Sequence, residues 1–268
     1  MRWEGLTSPD FAKAVRETQV CILPMGVLER HGNHLPLGTD YLNAHVVATL
    51  AAEVEPAVVF PAFYFGQIFE ARCFPGTVAI PPLLLLELLD AVLDEIGRNG
   101  FRKILLYNGH GGNTHWLRYF CQCALYERKP YTVYLAQWPD DPERRARINA
   151  ICPPNGEHAH EEETCLMLAL APDLVKMDRV PDQPGVPLGR LKDLRGAYTG
   201  IWWYADYPEH YSGDARGASK EKARRILEIH VEALAETIRS VKEDRAAPAL
   251  EREFFDRVDK ASGAPPTD

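Results

Sequence analysis

The feature that most constrains this chain is an apolar strand that runs directly into a loop rich in metal-ligand side chains. Residues 20–26 have the continuous apolar character of a buried parallel strand. The loop that follows carries Glu29, His31 and Asp40. Residues two apart in an extended chain share a face, so Glu29 and His31 can reach one ion together. Open α/β sheets bind their ligands at this carboxyl edge, and the segment therefore predicts a metal site.

A second candidate ligand follows another strand. Residues 102–107 have the pattern of a strand and lead into Asn-Gly-His-Gly-Gly-Asn at 108–113, with His110 at the turn. The glycines let the backbone turn tightly and approach a ligand closely. The segment lacks the glycine spacing of a dinucleotide-binding turn and the Lys-Ser/Thr ending of a phosphate loop. A histidine ligand explains it better than a phosphate-binding turn.

A third cluster stands at the start of a predicted helix. His158 is followed by Glu161, Glu162 and Glu163, and acidic residues are favoured in the first turn of any helix. Helical periodicity alone does not select the functional carboxylate among them. Residues 165–170 are apolar on every face, which indicates a buried helix whose initial carboxylates need a partner such as a metal.

These three clusters together resemble the creatininase, or creatinine amidohydrolase, family. Its blocks occur in order: E-x-H-G-x-H-L-P-L-G-T-D at 29–40, F-P-G-T at 74–77, N-G-H-G-G-N at 108–113, H-A-x-E-x-E-T at 158–164 and G-D-x-x-x-A-S at 213–219. Because the blocks run from residue 29 to residue 219, the resemblance covers the whole domain.

The resemblance implies a hydrolase with two divalent cations bridged by Asp40. Glu29 and His110 would hold one cation, and His31 with a further carboxylate would hold the other. His158 would then be the catalytic acid/base or a partner of the oxyanion; as acid/base it would protonate the leaving nitrogen after a metal-bridged hydroxide attacks the carbonyl. A purely structural role for His158 beside the helix start is the alternative.

The resemblance is not complete. Creatininase itself carries a glutamate two residues after the second-cluster histidine, where this chain has Gly112. We therefore move the fifth ligand to Glu163, the glutamate of the E-T pair in the block at 158–164. Creatininase also closes its pocket with a tryptophan shortly before the catalytic histidine, where residues 151–156 read I-C-P-P-N-G. Both changes predict a wider pocket, so we do not expect creatinine to be the physiological substrate.

Imidazole and carboxylate ligands without thiolate suit zinc, manganese, iron or cobalt. With the two divalent ions that the resemblance implies, we expect Zn²⁺ first and Mn²⁺ or Fe²⁺ as alternatives. The predicted activity is hydrolysis of the C–N bond of a non-peptide or cyclic amide or formamide. Three alternatives stay open: a metal- or ligand-binding protein without catalysis, a peptidase acting on a modified peptide, and a nucleotide-binding α/β protein.

Strand and helix patterns alternate along the chain and predict a three-layer α/β/α sandwich with a mostly parallel sheet. We predict strands at 19–25, 57–61, 102–107 and 131–136, and helices at 8–16, 40–54 with Thr39 as N-cap, 82–98, 112–127, 161–170 and 217–244. One domain would span 1–244, with 245–268 as a loosely attached tail.

The remaining features concern partners. The formal charge of −8 and the pI of about 5.6 provide no electrostatic attraction for nucleic acid or an anionic membrane, so we expect a small-molecule amide as ligand and neither of those partners. Residues 1–4 lack the apolar core of a signal peptide, which favours a cytoplasmic location. The irregular segment 178–212 carries Trp202 and Trp203, whose exposure would favour a homo-oligomer, and the resemblance makes this a hexamer.

Other histidines carry weaker predictions. His34 is expected to orient Asp40 or the loop from outside the ligand set. Five more have no motif context and are predicted to be packed or surface residues: His45, His115, His160, His210 and His230.

Overall fold

The structure is a computed structural model that describes residues 1–136 and 141–262. Its sheet has four parallel strands in the order β2-β1-β3-β4. The strands are β1 (Val20–Met25), β2 (Val58–Val59), β3 (Lys103–Asn108) and β4 (Thr132–Ala136). The predicted parallel sheet is confirmed, although the second strand is shorter than expected.

Nine helices surround this sheet in the described part of the chain: α1 (Ser8–Thr18), α2 (Thr39–Val54), α3 (Pro82–Arg98), α4 (Thr114–Cys123), α5 (Pro142–Asn149), α6 (Glu161–Leu170), α7 (Trp202–Asp206), α8 (Lys220–Glu243) and α9 (Ala246–Ser262). Short 3₁₀ turns include 111–113, which precedes α4 where the sequence predicted regular helix.

Alternate residues of the central strands face opposite helical layers, as the two-residue period of a strand requires. Leu23 and Leu106 pack with side chains of α1, α3 and α4 on one face. Ile22 and Leu105 pack with α2 and α8 on the other. The three-layer α/β/α sandwich is therefore confirmed, with an apolar core on each side of the sheet.

The start of α2 differs in detail from the prediction. Gly38 is the N-cap residue, and Thr39 is already the first helical residue. The Thr39 hydroxyl donates to the carbonyl of Pro36 at 2.8 Å and therefore stabilises the loop instead of capping the helix.

The prediction of a loose tail is wrong for residues 246–262, which form α9. Phe255 is buried against the domain, and Glu251 accepts a hydrogen bond from Thr132 Oγ1 of β4. Arg128 forms ion pairs with Asp256 and Asp259. Proline at 248 had suggested irregular chain, but a proline in the first helical turn costs no hydrogen bond. Residues 263–268 lie outside the described residues, and the extent of the domain stays a prediction.

Helix α5 was not predicted at all. Asp141 Oδ1 accepts from the backbone N–H of Glu143 at 2.9 Å, and Pro142 occupies the first helical position. An aspartate before a proline is a usual helix start, so this signal was present in the sequence.

The segment 178–212 is irregular apart from short helices, as predicted. Trp202 is 41% exposed, whereas Trp203 is only 9% exposed because it packs inside its own chain. The expectation that both indoles are exposed is therefore wrong for Trp203. None of the helices in the described ranges combines the length and the apolarity that a membrane crossing requires.

Candidate metal centre

The predicted ligands meet because strands β1 and β3 are adjacent and end together. Met25 pairs with Asn108, so the loops that carry Glu29 and His110 leave the same edge of the sheet. Two glycines then allow the first turn of α2 to approach this edge. A Cβ at Gly26 would lie 2.3 Å from the backbone nitrogen of Tyr41, and one at Gly109 would lie 2.9 Å from the carbonyl oxygen of Asp40. Larger residues at these positions would push Asp40 away from the site.

Asp40 lies between two histidines. Its Oδ1 is 2.9 Å from Nε2 of His31, and its Oδ2 is 2.9 Å from Nδ1 of His110. The same Nδ1 is 2.9 Å from Oε1 of Glu29. All four side chains are buried, the most exposed being His110 at 6%. The structure therefore brings together four of the five predicted ligands in one buried cluster.

Each of these histidines has its second ring nitrogen bound to a backbone carbonyl. His31 Nδ1 donates to the carbonyl of Glu29 at 3.3 Å, and His110 Nε2 donates to the carbonyl of Gln67 at 2.9 Å. A carbonyl only accepts, so these contacts assign a proton to the outer nitrogen of each ring. Metal-binding histidines are usually held in this way, with the inner nitrogen facing the ion.

Two buried oxygens in the cluster lack a hydrogen bond of good geometry among the described residues. They are Glu29 Oε1 and Asp40 Oδ2, and both face His110 Nδ1. A buried carboxylate oxygen left in this state is costly unless a cation or a donor satisfies it. Two carboxylate oxygens and an imidazole nitrogen are a donor set that suits a divalent cation, so the residues present fit one.

Glu163 lies on the other side of His31. Donor atoms of His31, His158 and Glu163 lie within 4.8 Å of one another, close enough to hold one ion. The backbone N–H of Ala159 donates to Glu163 Oε2, and Ala159 adopts a φ of 54° to do so. This left-handed conformation is uncommon for alanine and is held by the surrounding contacts.

The two neighbouring glutamates face other partners. Glu162 pairs with His230 at 3.2 Å and with Arg145 at 3.0 Å, while Glu161 pairs with Lys222. Both therefore contribute to packing between α6 and its neighbouring helices. Of the three glutamates that begin α6, Glu163 is the one beside the predicted ligands.

His158, the predicted acid/base, closes the cluster. Its Nε2 donates to the carbonyl of Arg30 at 2.8 Å, which leaves Nδ1 with the free lone pair of the neutral ring. Its backbone exchanges hydrogen bonds with Ser212. Burial and the neighbouring charge of His31 lower its pKa to about 4, with Glu29 acting in the opposite direction. His158 is therefore a neutral imidazole at pH 7.

His31, His110 and Glu163, in contrast, have pKa values that are shifted in favour of their charged forms. Burial by itself lowers the pKa of His31, but the charge and hydrogen bond of Asp40 raise it to about 10. Burial is likewise overcome at His110, whose pKa lies well above its usual range because of Glu29 and Asp40. Burial would raise the pKa of Glu163, yet the hydrogen bond of His160 and the nearby histidines lower it to about 2. The protonated imidazoles of His31 and His110 thus offset part of the negative charge of the site in the metal-free protein.

Sequence reasoning missed His210. It was predicted to be a packed or surface histidine, but its Nε2 lies 2.5 Å from Glu29 Oε2. The only signal in the sequence was its position three residues before Gly213, where the last family block begins. The contact with Glu29 spans 181 positions, so no local pattern could indicate it.

The side-chain hydrogen bond of His34 is to Thr164 of α6, and not to Asp40 as one part of the prediction suggested. Its Nε2 lies 3.0 Å from Thr164 Oγ1, so it joins the first motif to α6. The part of the prediction that concerned the loop agrees with this contact.

Gly112 does not leave the open wall that the sequence suggested. A Cβ there would lie 2.5 Å from Gln67 Oε1 and 2.6 Å from His110 Nε2. Gln67 in turn donates from Nε2 to Glu70 at 2.6 Å. The Gln67 side chain therefore occupies the space beside Gly112.

Comparison with known proteins identifies the family of this chain. The sequence profile of the creatininase family, described as creatinine amidohydrolase, matches residues 4–238. The creatinine amidohydrolase of Pseudomonas putida is 32% identical over 237 residues, which cover 82% of this chain and 88% of that protein. The mycofactocin precursor peptide peptidase of Mycolicibacterium smegmatis is 34% identical over 179 residues, which cover 63% of this chain and 65% of that protein.

Solved structures show the same fold. A manganese creatininase superposes with a TM-score of 0.77 at 28% identity, covering 91% of this chain and 99% of that one. The profile match includes all three ligand-bearing clusters as well as the sheet that positions them. The chain belongs to the creatininase family of hydrolases.

Proposed function

We propose that this chain is a metal-dependent amidohydrolase that uses two divalent cations to hydrolyse the C–N bond of a non-peptide or cyclic amide or a formamide. One observation carries the proposal. Asp40 presents its two oxygens to nitrogens of two different histidines, His31 and His110, each at 2.9 Å. A buried carboxylate in this position suits a ligand shared by two cations.

The two cation positions follow from the donor atoms. Glu29 Oε1, Asp40 Oδ2 and His110 Nδ1 would hold the first cation, and the two carboxylate oxygens that lack hydrogen bonds support this assignment. Asp40 Oδ1, His31 Nε2 and Glu163 would hold the second.

Zinc is our first choice of metal, with manganese or iron as alternatives. Three carboxylates and two imidazoles suit each of these ions. The related creatininase that contains manganese supports that alternative. When bound, such a pair of cations makes a water more acidic and polarises an amide carbonyl.

His158 would supply the proton transfers. Its Nε2–H is held by the carbonyl of Arg30, and its pKa of about 4 leaves the Nδ1 lone pair free at pH 7. A neutral imidazole can accept the proton of the attacking water and then donate it to the leaving nitrogen. His158 therefore acts first as a base and then as an acid.

The substrate remains an amide of undefined size. The relatives that act on creatinine and on a mycofactocin precursor peptide support both a small amide and the second candidate, a modified peptide. A cavity of about 450 Å³ beside the first motif is lined by Arg30, Asn33, Glu209 and Tyr211, among others, but by none of the proposed ligands. It therefore does not decide between the two candidate substrates. We retain the prediction that creatinine is not the physiological substrate because residues 151–156 lack tryptophan.

Assembly and location are part of the same proposal. We propose a homo-oligomer, a hexamer by analogy with the family, in the cytoplasm. The exposed Trp202 supports a contact made by segment 178–212. Light scattering that gave a stable monomer at micromolar concentration would contradict it.

The proposed function is tested by metal analysis of the wild type and of Asp40→Ala. We expect about two cations per chain in the wild type and loss of both in the variant, because the shared ligand serves each site. Asp173→Ala, an exposed change outside segment 178–212, is the control. Full metal content in Asp40→Ala would refute the shared ligand.

A substrate panel completes the test. Zinc- or manganese-loaded protein is assayed with formamides, cyclic amides including creatinine, and short peptides. A creatinine kcat/KM of about 10⁴ M⁻¹s⁻¹ or more would refute our exclusion of creatinine. Loaded protein that hydrolyses none of the panel would favour a metal-binding protein without catalysis.

A further inference from the structure

A chain of two hydrogen bonds connects the irregular segment to the proposed metal centre. Trp203 Nε1 lies 3.0 Å from His210 Nδ1, and His210 Nε2 lies 2.5 Å from Glu29 Oε2. All three side chains are buried, with exposures of 9%, 3% and 0%.

The hydrogen bond from Trp203 determines which ring nitrogen of His210 carries the proton. An indole N–H can only donate, so His210 Nδ1 must accept, and the single proton of the neutral ring is on Nε2. Nε2–H therefore donates to Glu29 Oε2. Although His210, Glu29 and His158 are close enough to hold an ion, this arrangement gives His210 no free lone pair towards it. His210 is consequently a donor to Glu29 and not a ligand.

Because of this contact, the two oxygens of Glu29 have different partners. Oε2 accepts the hydrogen bond of His210 Nε2, while Oε1 faces His110 Nδ1 at 2.9 Å without a hydrogen bond of good geometry among the described residues. With Oε2 held, rotation of the carboxylate is restricted, and Oε1 stays directed at the first cation position. Fixing a ligand in this way before the ion arrives lowers the entropic cost of binding.

Backbone hydrogen bonds and ring packing also hold His210 in place. His210 adopts a φ of 52°, an uncommon conformation for a residue with a side chain, and its N–H donates to the carbonyl of Tyr207. Two residues later, Ser212 exchanges backbone hydrogen bonds with His158. The His210 and His158 rings pack edge to face with centroids 4.5 Å apart. The segment is therefore attached to the acid/base as well as to the ligand.

We propose that Trp203 and His210 are positioning residues that hold Glu29 in its ligand orientation and so make cation affinity depend on segment 178–212. This inference rests on the proposed metal site. In that role His210 acts through Glu29, and Trp203 acts through His210 by selecting its tautomer.

The first test measures affinity for Zn²⁺ by competition with a chelator. His210→Ala should bind Zn²⁺ about 10- to 100-fold more weakly, as expected when a hydrogen-bond partner of a ligand is removed. His210→Gln keeps an N–H donor on a chain of similar reach and should recover most of this loss. Trp203→Phe should weaken binding by about 2- to 10-fold, the equivalent of one net hydrogen bond. The control is His115→Gln, an exposed change on α4.

A spectroscopic readout separates positioning from general destabilisation. The visible spectrum of Co²⁺-loaded protein reports the geometry around the ion, so it should change in His210→Ala and return towards the wild type in His210→Gln. Wild-type affinity and an unchanged spectrum in His210→Ala would overturn the inference. Equal losses in the Ala and Gln variants would do the same, since only a donor to Glu29 should rescue.

Folding is checked by circular dichroism. If His210→Ala does not fold, the decision falls to His210→Gln and Trp203→Phe: the inference holds if Gln binds within about threefold of the wild type while Phe is weaker, and fails if Phe binds as the wild type does. A wild type that binds no cation would instead refute the proposed function itself. The two failures are therefore distinguishable.

Discussion

The backbone carbonyl of Gln67 accepts a hydrogen bond from His110 Nε2 at 2.9 Å, and this contact leaves Nδ1 of the same ring beside Glu29 and Asp40. The ring stands in a narrow space, because Gly112 lies directly against it and against Gln67. Gly112 occupies the position at which creatininase has a glutamate. Its lack of a side chain also allows Gln67 to contact His110, a proposed ligand.

We expect Gly112→Ala to weaken cation binding. Its Cβ would lie 2.6 Å from His110 Nε2 and 2.9 Å from the Gln67 carbonyl, so the ring or the backbone must move. Displacing a contact that orients a ligand typically costs about 10- to 100-fold in metal affinity. Gly111→Ala is a matched control because its Cβ meets no atom within 4 Å. Equal Zn²⁺ affinities of the two variants in a chelator competition would contradict the prediction.

Glu163→Gln should lose one of the two proposed cations, whereas Glu162→Gln should keep both. Only Glu163 lies with His31 and His158, while Glu162 is paired with His230 and Arg145. Elemental analysis of dialysed protein measures the difference. Loss of metal in the Glu162 variant with retention in the Glu163 variant would mean that the assignment is wrong by one residue.

Cation binding at pH 7 should release about two protons per chain, since a ligating imidazole must give up the proton on its inner nitrogen. The pKa of His31 is raised to about 10 and that of His110 lies well above its usual range, in both cases despite burial and because of nearby carboxylates. Both rings are thus protonated at pH 7 in the metal-free protein. Affinity should therefore rise with pH as these protons leave.

Calorimetric titration with Zn²⁺ in buffers of different ionisation enthalpy measures this proton release directly. Mn²⁺ in the same buffers is a useful second ion because it is less acidic in water. Binding heats that are independent of the buffer would show that the imidazoles are already neutral, contrary to the prediction.

Protonation of His34 should reduce the stability of the metal-free protein as the pH falls from about 6.5 towards 4. Burial, with a contribution from the charge of His31, lowers the pKa of His34 to about 4. Below about pH 6.5 the unfolded chain binds a proton at His34 that the folded chain does not, so the stability present at higher pH is progressively lost. The loss should be on the order of 1 to 3 kcal/mol.

The comparison that checks this is urea denaturation in EDTA at pH 7.5 and pH 5. His34→Gln should lose less stability between these two values than the wild type, because its amide can keep the contact with Thr164 and does not titrate. The exposed variant His115→Gln is the control. An equal pH dependence in wild type and His34→Gln would exclude His34 as the source.

Much of the fold was predictable from local patterns. Continuous apolar runs indicated β1 and β3, and the helix that contains Asp40 was placed correctly because its start lies in a recognisable motif. Parallel strands with helical connections then required the loops after β1 and β3 to meet at one edge. Helices α5 and α9 were missed, since both are rich in charge and begin beside prolines that also suit irregular chain.

The sequence by itself determined the chemistry of the candidate site: Glu29, His31 and His110 follow strands and Asp40 begins a helix, in motifs whose side-chain types suit divalent cations. Only the tertiary structure decided which groups face that site. Successive residues of a helix differ by about 100° in direction, and periodicity alone did not separate the three glutamates of α6. The family pattern selected Glu163, and only the tertiary structure showed that neighbouring helices supply partners for the other two. His210 reaches Glu29 across 181 positions, and a contact of that kind depends on how the whole chain folds, which leaves no local pattern in the sequence.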